Sequence, residues 1–213
     1  MRTLEYQRFY RRHLPHMQPP GATLFVTFRL AGSIPAEVLQ RLRVEAEGSD
    51  AALAHIGDPQ ECEQRAHIEQ RRHFARWDAE LDRGRSGPVW LSEPRVGDLV
   101  AEALHYRDGK VYGLDAYCIM PNHVHVVFTP LPEGADSYFA VSTIMHSLKR
   151  HTARQANRVL GRQGTFWQGE SYDHVLRDEE ELHRIITYVL NNPVKASLVQ
   201  IRDDWRWKYC KYE

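Results

Sequence analysis

The sequence contains few cysteines, no long apolar run and no net charge. Its 213 residues include only three cysteines, Cys62, Cys118 and Cys210, and none of them lies in a Cys-x-x-Cys pair. This pattern argues against a disulfide framework and a thiolate zinc site, and it favours the reducing cytoplasm as the compartment. No apolar run approaches the roughly 18 residues that a membrane span needs, and residues 1–12 lack the apolar stretch of a signal peptide. We therefore expect a cytoplasmic protein with no membrane partner.

The charge balance argues at first against a nucleic-acid partner. The chain has 28 basic and 28 acidic residues, whereas proteins that bind nucleic acids usually carry a basic surface. The charges are, however, segregated along the chain. Residues 1–30 contain five arginines and one glutamate, residues 141–164 contain five basic residues and no acidic one, and residues 31–63 contain two arginines and seven acidic residues. The net charge of zero is therefore the sum over segments of opposite sign, and nucleic acid remains a candidate partner.

Length and composition predict one folded domain with an insertion. The 7 Phe, 10 Tyr and 5 Trp residues argue against general disorder, and 213 residues are enough to bury a substantial core. From Ile34 to about Arg85 the composition shifts to Ala, Glu, Arg, Gln and Leu, which predicts two helices inserted after the first strand. We expect a single domain over residues 1–213, with this insertion at about 34–85 and a tail at about 199–213.

The patterns of apolar residues predict the order of the other elements. The predicted strands are residues 23–30, 111–120, 123–129 and 166–176, and the predicted helices are residues 95–106, 138–159 and 179–190. Met120-Pro121-Asn122 is typical of a tight hairpin connection between the second and third strands. Without the insertion, the order is strand, helix, strand, strand, helix, strand, helix. This order matches an α+β fold, a ferredoxin-like split βαβ core with an antiparallel sheet and an additional C-terminal helix.

The run from Met120 to Phe128 carries the most specific feature of the sequence. His123 and His125 are two residues apart on a predicted strand, so both side chains point to the same face. Val124 and the other apolar residues that alternate with the histidines point to the opposite face, where they can pack on helices. A lone histidine is more often a half-exposed sheet residue. Two histidines on one face can offer two imidazoles to one ion, so this run predicts a metal site.

The C-terminal helix carries a tyrosine and an asparagine on one flank. The apolar stripe of this helix consists of Leu182, Ile185, Ile186 and Val189. Tyr188 and Asn192 lie about 40° apart around the helix axis, beside this stripe. A tyrosine in such a position is more often a packing residue than a catalytic one. Asn192 precedes Pro193, and because a residue before proline avoids helical geometry, the helix is predicted to end there.

Several motifs together resemble a known family. They are the Met-Pro-Asn-His-Val-His run, Ser147-Leu148-Lys149-Arg150, Phe166-Trp167-Gln168, Tyr172-Asp173-His174, and the stretch from Tyr188 to Ala196. These motifs are similar to those of the single-tyrosine, IS200-like transposases of the HUH superfamily. Within it they resemble the REP-associated tyrosine transposases, which are named for repetitive extragenic palindromes. The resemblance extends from Thr23 to Trp207 and includes the inserted helices and the tail.

The resemblance implies an activity and assigns residues to it. His123 and His125 would bind a divalent metal, Mg²⁺ or Mn²⁺, and Asn192 would complete the ligand set. Tyr188 would attack a phosphodiester of single-stranded DNA and form a 5′-phosphotyrosine intermediate. The chain would then be a transposase, a site-specific endonuclease that nicks and joins single-stranded or hairpin DNA, most simply at palindromic repeats. This branch also implies a monomer, with a dimer as the alternative.

The basic run of the long helix is the candidate contact with DNA. Lys149, Arg150, Arg154 and Arg158 lie in a segment without acidic residues, as expected of a track for the phosphate backbone. A merely solvated helix face is the alternative.

Two other functions compete with the transposase hypothesis. The first is a non-cleaving nucleic-acid-binding module with Phe25, Phe28 and Val127 on an exposed sheet face. Its weakness is that the two aromatics are three residues apart and so point to different faces. The second is a metal hydrolase that uses the two histidines, but the sequence has no His-Glu-x-x-His motif that would supply a base.

Overall fold

The computed structural model describes residues 9–11, 15–53, 55–83, 87–135 and 137–213. The chain forms two compact units, one made of Met1–Ala31 and Val89–Glu213 and the other of Gly32–Pro88. None of the helices in the described ranges has the length and apolar character to cross a membrane.

The larger unit is built on a five-stranded antiparallel sheet. Its elements in chain order, after a two-stranded ribbon of β1 (Phe9–Arg11) and β2 (Pro15–Met17), are β3 (Leu24–Arg29), α3 (Pro94–His105), β4 (Tyr112–Ile119), β5 (His123–Pro130), α4 (Val141–Val159), β6 (Tyr172–Val175), α5 (Glu179–Lys195) and β7 (Lys208–Cys210). The strand order is β6-β3-β5-β4-β7, and every neighbouring pair is antiparallel. The split βαβ arrangement consists of the strands β3, β4, β5 and β6 and the helices α3 and α4. The predicted α+β, ferredoxin-like class is therefore confirmed.

The hairpin between β4 and β5 fixes the start of the histidine-bearing strand. The loop of Met120, Pro121 and Asn122 is closed by a hydrogen bond from the Met120 amide to the His123 carbonyl, at 2.9 Å. The Asn122 carbonyl accepts a hydrogen bond of 2.8 Å from the amide of Leu30, just beyond β3. The tight connection predicted at these three residues is therefore present, and it ties β5 to its neighbours on both sides.

One face of the sheet, which we call the core face, is apolar. Val124, Val126 and Phe128 of β5 are at most 1% exposed and belong to the main hydrophobic cluster. Residues from α3 and α4 complete this cluster, among them Val96, Val100, Leu104, Ile144, Met145 and Leu148. Their recurrence every three or four positions gives each helix one apolar side, which is why both helices pack on this face.

The opposite face, which we call the site face, is covered by α5, which packs on β4, β5 and β7. The helix begins at an N-cap, Asp178, whose side chain accepts a hydrogen bond of 2.7 Å from the Glu181 amide. Its Ile186, Val189 and Leu190 are buried, which accounts for the attachment of the helix to the sheet.

The smaller unit consists of the two helices that were expected in the insertion, α1 (Ala36–Leu53) and α2 (Pro59–Arg83). Ion pairs join them crosswise, with Arg41 Nη2 at 3.2 Å from Glu80 Oε1 and Arg76 Nη1 at 2.8 Å from Glu45 Oε2. Because early residues of α1 meet late residues of α2, the two helices form an antiparallel hairpin.

Two predicted boundaries are wrong. In the predicted strand 166–176, only Tyr172–Val175 is a strand, because the preceding residues form a loop that the side chain of Lys149 holds from α4. The predicted helix end at Asn192 is also wrong, since α5 continues through Pro193 to Lys195. Proline in the last turn removes a single hydrogen-bond donor, and both Asn192 and Pro193 are buried, so packing outweighs the local preference.

Candidate active site

The two histidines of β5 meet on the site face. His123 and His125 are 1% and 0% exposed, and their Nε2 atoms lie 3.0 Å apart. The structure thus brings together the pair that alternation along the strand had placed on one face. Two ligands at right angles in an octahedral shell of about 2.1 Å radius would lie about 3.0 Å apart. The separation of the two nitrogens therefore fits shared coordination of one ion.

The other ring nitrogen of each histidine is held by a polar neighbour. His123 Nδ1 lies 2.7 Å from Asn122 Oδ1, and His125 Nδ1 lies 2.7 Å from Thr27 Oγ1. An amide oxygen only accepts hydrogen bonds, so a neutral His123 ring that donates from Nδ1 to Asn122 would keep the lone pair of Nε2 for a metal. The Thr27 hydroxyl can accept from His125 in the same way. Partners of this kind orient metal-binding imidazoles and fix their tautomers.

Asn192 brings its side-chain amide to the same place. This residue is fully buried on α5, and its Nδ2 lies 3.2 Å from His125 Nε2. Its Oδ1 is buried without a hydrogen-bond partner among the described residues. Leaving a buried acceptor unpaired costs about 1–3 kcal/mol, and a cation would remove that cost. A rotation of the amide exchanges its two terminal atoms, so two imidazole nitrogens and one amide oxygen fit a divalent metal.

Tyr188 lies beside this group, one helical turn before Asn192. Its half-buried ring contacts His125, with centroids 5.7 Å apart, and Phe25, with centroids 6.2 Å apart and the rings nearly perpendicular. Lys195 Nζ lies 5.4 Å from the centroid of the tyrosine ring. The structure therefore places the predicted nucleophile next to the predicted metal ligands.

A buried ionic group anchors the start of the tyrosine-bearing helix. Glu181 Oε1 lies 3.2 Å from His174 Nε2 on β6 and 3.0 Å from Arg184 Nη2, while Oε2 accepts from the Arg177 amide. Burial alone would raise the pKa of Glu181, but the hydrogen bonds from His174 and the Arg177 amide hold this pKa below its ordinary value. The edge strand β6 and α5 are thus joined by an ionised carboxylate.

The predicted DNA-binding residues lie on α4, and one of them differs from the others. Arg150, Arg154 and Arg158 are exposed and four residues apart, so they form one row along the helix. Lys149 is half-buried, and its Nζ donates to the carbonyls of residues 168, 169 and 170 at 2.9, 3.2 and 3.2 Å. The other basic segment, at the N-terminus, has four of its five arginines outside the residues whose side chains are described.

The sheet offers little support for the nucleic-acid-binding module with an open aromatic face. Phe25, Phe28 and Val127 are each at most 1% exposed. Trp167, whose indole could in principle stack on a base, is 5% exposed, and its Nε1 donates to Thr152 Oγ1 at 2.8 Å. These residues belong to the packed interior of the larger unit.

Thr27 and Asn122 are functional candidates that the sequence patterns did not identify. Asn122 directly precedes His123 in the chain, so its place beside the histidine pair could have been predicted from the sequence. Thr27 lies almost 100 positions earlier, and only the register of β3 against β5, which pairs Thr27 with His125, brings it to the site. The pairing of Thr27 with His125 cannot be predicted from a pattern of residues that are close in the chain.

Comparison with known proteins finds a family that is similar to the segment carrying this site. Residues 93–192 match the family model described as transposase IS200 like. This segment, which is similar to that family, holds both histidines, the tyrosine and the asparagine. The resemblance to the REP-associated tyrosine transposases is confirmed by one relative of that name.

Two proteins of Haemophilus influenzae are similar to this chain. One, named as a REP-associated tyrosine transposase, is 30% identical over 96 residues, which cover 42% of this chain and 54% of that protein. The other, an uncharacterized protein, is 26% identical over 102 residues, which cover 38% of this chain and 54% of that protein. The chain thus spans about half the length of the curated relatives that it matches. A solved structure described as a REP-associated tyrosine transposase bound to a REP hairpin is 19% identical, with a TM-score of 0.49 over 93% of this chain and 80% of that one.

Proposed function

We propose that this protein is a metal-dependent transposase that nicks and joins single-stranded DNA, at hairpins of palindromic repeats, through a 5′-phosphotyrosine on Tyr188. The observation that carries the proposal is the position of Tyr188, whose ring centroid lies 5.7 Å from that of His125. The Nε2 atoms of His125 and His123 lie 3.0 Å apart. A nucleophile beside two metal-binding imidazoles is the arrangement that this chemistry needs. The family match over the same residues supports it.

His123, His125 and Asn192 would hold the metal, Mg²⁺ or Mn²⁺. When bound, the ion supplies positive charge that polarises the scissile phosphate and stabilises the charge that develops on it. Asn122 and Thr27 keep the two imidazoles in the orientation and tautomer that present Nε2. After rotation of its amide, Asn192 would offer Oδ1, which has no hydrogen-bond partner among the described residues, as the third ligand.

Tyr188 Oη would attack the phosphorus atom of one DNA phosphodiester. The new bond joins Oη to phosphorus, the bond from phosphorus to the 3′ oxygen breaks, and the phenol proton is balanced by the proton gained on the 3′-hydroxyl. Because the phosphotyrosine keeps the bond energy of the phosphodiester, attack by another 3′-hydroxyl rejoins DNA and releases the tyrosine without a nucleotide cofactor. The Lys195 ammonium adds positive charge beside the tyrosine ring.

The DNA backbone would follow the basic side of α4. Arg150, Arg154 and Arg158 form an exposed row suited to phosphates, and Lys149 contributes charge beside it while it holds the loop at residues 168–170. These contacts position the DNA and carry no sequence information by themselves.

The test is formation of a covalent adduct. A hairpin oligonucleotide labelled at its 5′ or 3′ end is incubated with the protein and Mn²⁺ or Mg²⁺, and products are separated under denaturing conditions. We expect the 3′-labelled fragment to migrate with the protein and the 5′-labelled fragment to be released with a free 3′-hydroxyl. Tyr188→Phe should abolish the adduct, whereas Tyr106→Phe, at an exposed tyrosine, should leave it intact.

An adduct that persists in Tyr188→Phe would show that the nucleophile is a different residue. Binding of hairpins without cleavage under any metal would favour the non-cleaving binding module. Light scattering of the purified protein tests the expected monomer against the dimer.

A further inference from the structure

The turn that precedes the histidine-bearing strand is bound by the tail of the chain, residues 199–213. Ile119, the last residue of β4, donates its backbone N–H to the carbonyl of Trp207 at 2.9 Å. Its own carbonyl accepts a hydrogen bond of 3.0 Å from Nε1 of Trp205, which is half-buried. Both backbone polar groups of Ile119 are therefore paired with the tail, directly before the turn begins.

Two further segments of the larger unit bind the same turn. The carbonyl of Pro121 accepts a hydrogen bond of 3.2 Å from the Leu91 amide, and the carbonyl of Asn122 accepts one of 2.8 Å from the Leu30 amide. The side chain of Asn122 lies beside His123, with Oδ1 at 2.7 Å from Nδ1 of the ring. Hydrogen bonds from three segments, including the tail, thus fix the turn, and the turn fixes the group that orients His123.

The tail also continues the helix that carries the other half of the site. The helix α5 holds Tyr188 and Asn192 and ends at Lys195, and Trp205 follows ten residues later. The hydrogen bond from Trp205 therefore joins the segment that follows Asn192 to the turn that precedes His123. Because the two histidines and Asn192 lie on different elements, contacts between those elements decide whether the three side chains can share an ion.

The tail is anchored on α3 next to Trp205. Trp207 Nε1 donates to Asp98 Oδ1 at 2.9 Å, and Arg206 Nη2 lies 2.7 Å from Asp98 Oδ2. The Trp207 ring lies so close to Gly97 that an added Cβ there would be 2.5 Å from Cε2 of the indole. The rings of Trp205 and Trp207 are nearly perpendicular, with centroids 5.7 Å apart. The anchored Trp207 thus supports Trp205 in the position from which its indole reaches β4.

We propose that Trp205 is a positioning residue for the metal site, because its bond to the Ile119 carbonyl fixes the turn that keeps His123 in place for an ion shared with His125 and Asn192. This inference rests on the proposed function, since it takes these three residues as metal ligands. Removing a hydrogen-bond partner of a metal ligand typically lowers metal affinity or activity by about 10–100-fold. Trp205 acts one step further out, through the backbone of the turn, so the expected loss of metal affinity is smaller, about three- to tenfold.

The test compares two tryptophans of the tail that each donate one hydrogen bond from the indole. Trp205→Phe removes the donor to Ile119, whereas Trp207→Phe removes the donor to Asp98 and leaves the backbone carbonyl at position 207 to accept from Ile119. Binding of Mn²⁺ to the full chain without DNA is measured by titration calorimetry. We expect the affinity to fall about three- to tenfold in Trp205→Phe and to stay within about twofold of wild type in Trp207→Phe.

Two further measurements separate positioning from a general loss of stability. All three metal ligands are retained in Trp205→Phe, so a high Mn²⁺ concentration should restore its rate of adduct formation to within about twofold of wild type. Its affinity for hairpin DNA should be unchanged. In the metal-free protein, the Met120 amide, which donates to the His123 carbonyl across the turn, should exchange its hydrogen faster in Trp205→Phe than in Trp207→Phe.

A second variant displaces the tail without removing a hydrogen-bonding group. Gly97→Ala places a methyl group against the Trp207 ring and pushes the tail away from α3. Alanine favours a helix more than glycine does, so α3 itself is not weakened. The affinity for Mn²⁺ should again fall about three- to tenfold. Gly113→Ala, at a glycine where an added Cβ would meet no atom within 4 Å, is the control and should keep the wild-type affinity.

The inference and the proposed function can fail separately. Wild-type Mn²⁺ affinity in Trp205→Phe or in Gly97→Ala, or equal losses in Trp205→Phe and Trp207→Phe, would overturn the positioning role even if the Tyr188 adduct forms normally. Conversely, an Mn²⁺ affinity that depends on Trp205 and not on the Trp207 indole would uphold this role even if no DNA ever yields an adduct. Absence of Mn²⁺ binding by the wild-type chain would overturn both.

Discussion

The core face and the site face of the sheet are both buried, but they bury different chemistry. On the core face, Val124 and Phe128 pack among apolar residues of α3 and α4. On the site face, His123 and His125 are equally inaccessible, yet each is hydrogen bonded to a polar neighbour. Burying a polar group lowers stability unless it is paired, and Asn192 Oδ1 has no hydrogen-bond partner in the described part of the chain. In β5, the apolar residues at positions 124, 126 and 128 thus pack in the core, whereas His123 and His125 provide the chemical groups of the site.

The largest effect is expected from His125→Ala on the site face. Loss of one of two imidazole ligands should lower the rate of adduct formation by at least about 10²–10³-fold, because charge on the scissile phosphate is no longer stabilised. The free energy of unfolding should fall by about 1–3 kcal/mol, because the buried imidazole loses its hydrogen bonds and its contacts with the rings of Phe25 and Tyr188. Adduct kinetics and urea unfolding measure the two quantities, and titration calorimetry with Mn²⁺ measures metal binding. Wild-type Mn²⁺ affinity in this variant would contradict the assignment.

The opposite outcome is expected for Phe128→Ala, three residues further along the same strand. Removing this fully buried ring should cost about 3–5 kcal/mol of the free energy of unfolding, because the cavity cannot close completely. Urea denaturation at neutral pH checks the value. At a temperature where the variant is folded, its adduct rate should stay within a few fold of wild type, and a loss comparable to that of His125→Ala would erase the distinction between the two faces.

A smaller effect is expected where α5 is anchored over the site face. The pKa of Glu181 is lowered in the folded protein, so its stabilising effect is present above the ordinary glutamate value of about 4.3 and is lost as the pH falls through the folded value. Glu181→Gln should therefore lower the free energy of unfolding at pH 7 by roughly 1–3 kcal/mol. The free energy of unfolding of this variant should also decrease less than that of the wild type as the pH falls. Unfolding curves between neutral and acidic pH give both numbers. Glu180→Gln, at the exposed neighbouring position, should change neither.

The smallest effect is expected for a substitution on the exposed surface of α4, the helix that carries the arginine row. Arg154→Ala should weaken binding of hairpin DNA only a few fold, about equally for all sequences, and reduce the slope of log affinity against log salt by about one. Affinities at several salt concentrations provide the slope. Arg71→Ala, an exposed arginine of α2, is the matched control. An unchanged slope in Arg154→Ala would mean that the arginine row is only a solvated face.

Local sequence patterns were sufficient for the framework and for the histidine pair. The alternation around His123 and His125 and the apolar periodicity of α3, α4 and α5 depend on residues close in the chain, and the structure has these elements in the predicted order. The end of α5 was wrong because the rule for residues before proline ignores what the last turn packs against. Thr27 and the loop held by Lys149 could not be predicted, since both depend on contacts between distant segments.

The strand β7 has a consequence for the sheet as a whole. It pairs with Ala116, Tyr117 and Cys118 on the outer side of β4, the longer of the two strands that would otherwise stand at the edges. An uncovered strand of eight largely buried, mostly apolar residues is a template for pairing with another chain and hence for aggregation. With Lys208 at one end and Lys211 just beyond the other, a three-residue strand replaces that edge with a short, charged one, and the four-residue β6 keeps the opposite edge short. The tail thus guards the protein against edge-to-edge association.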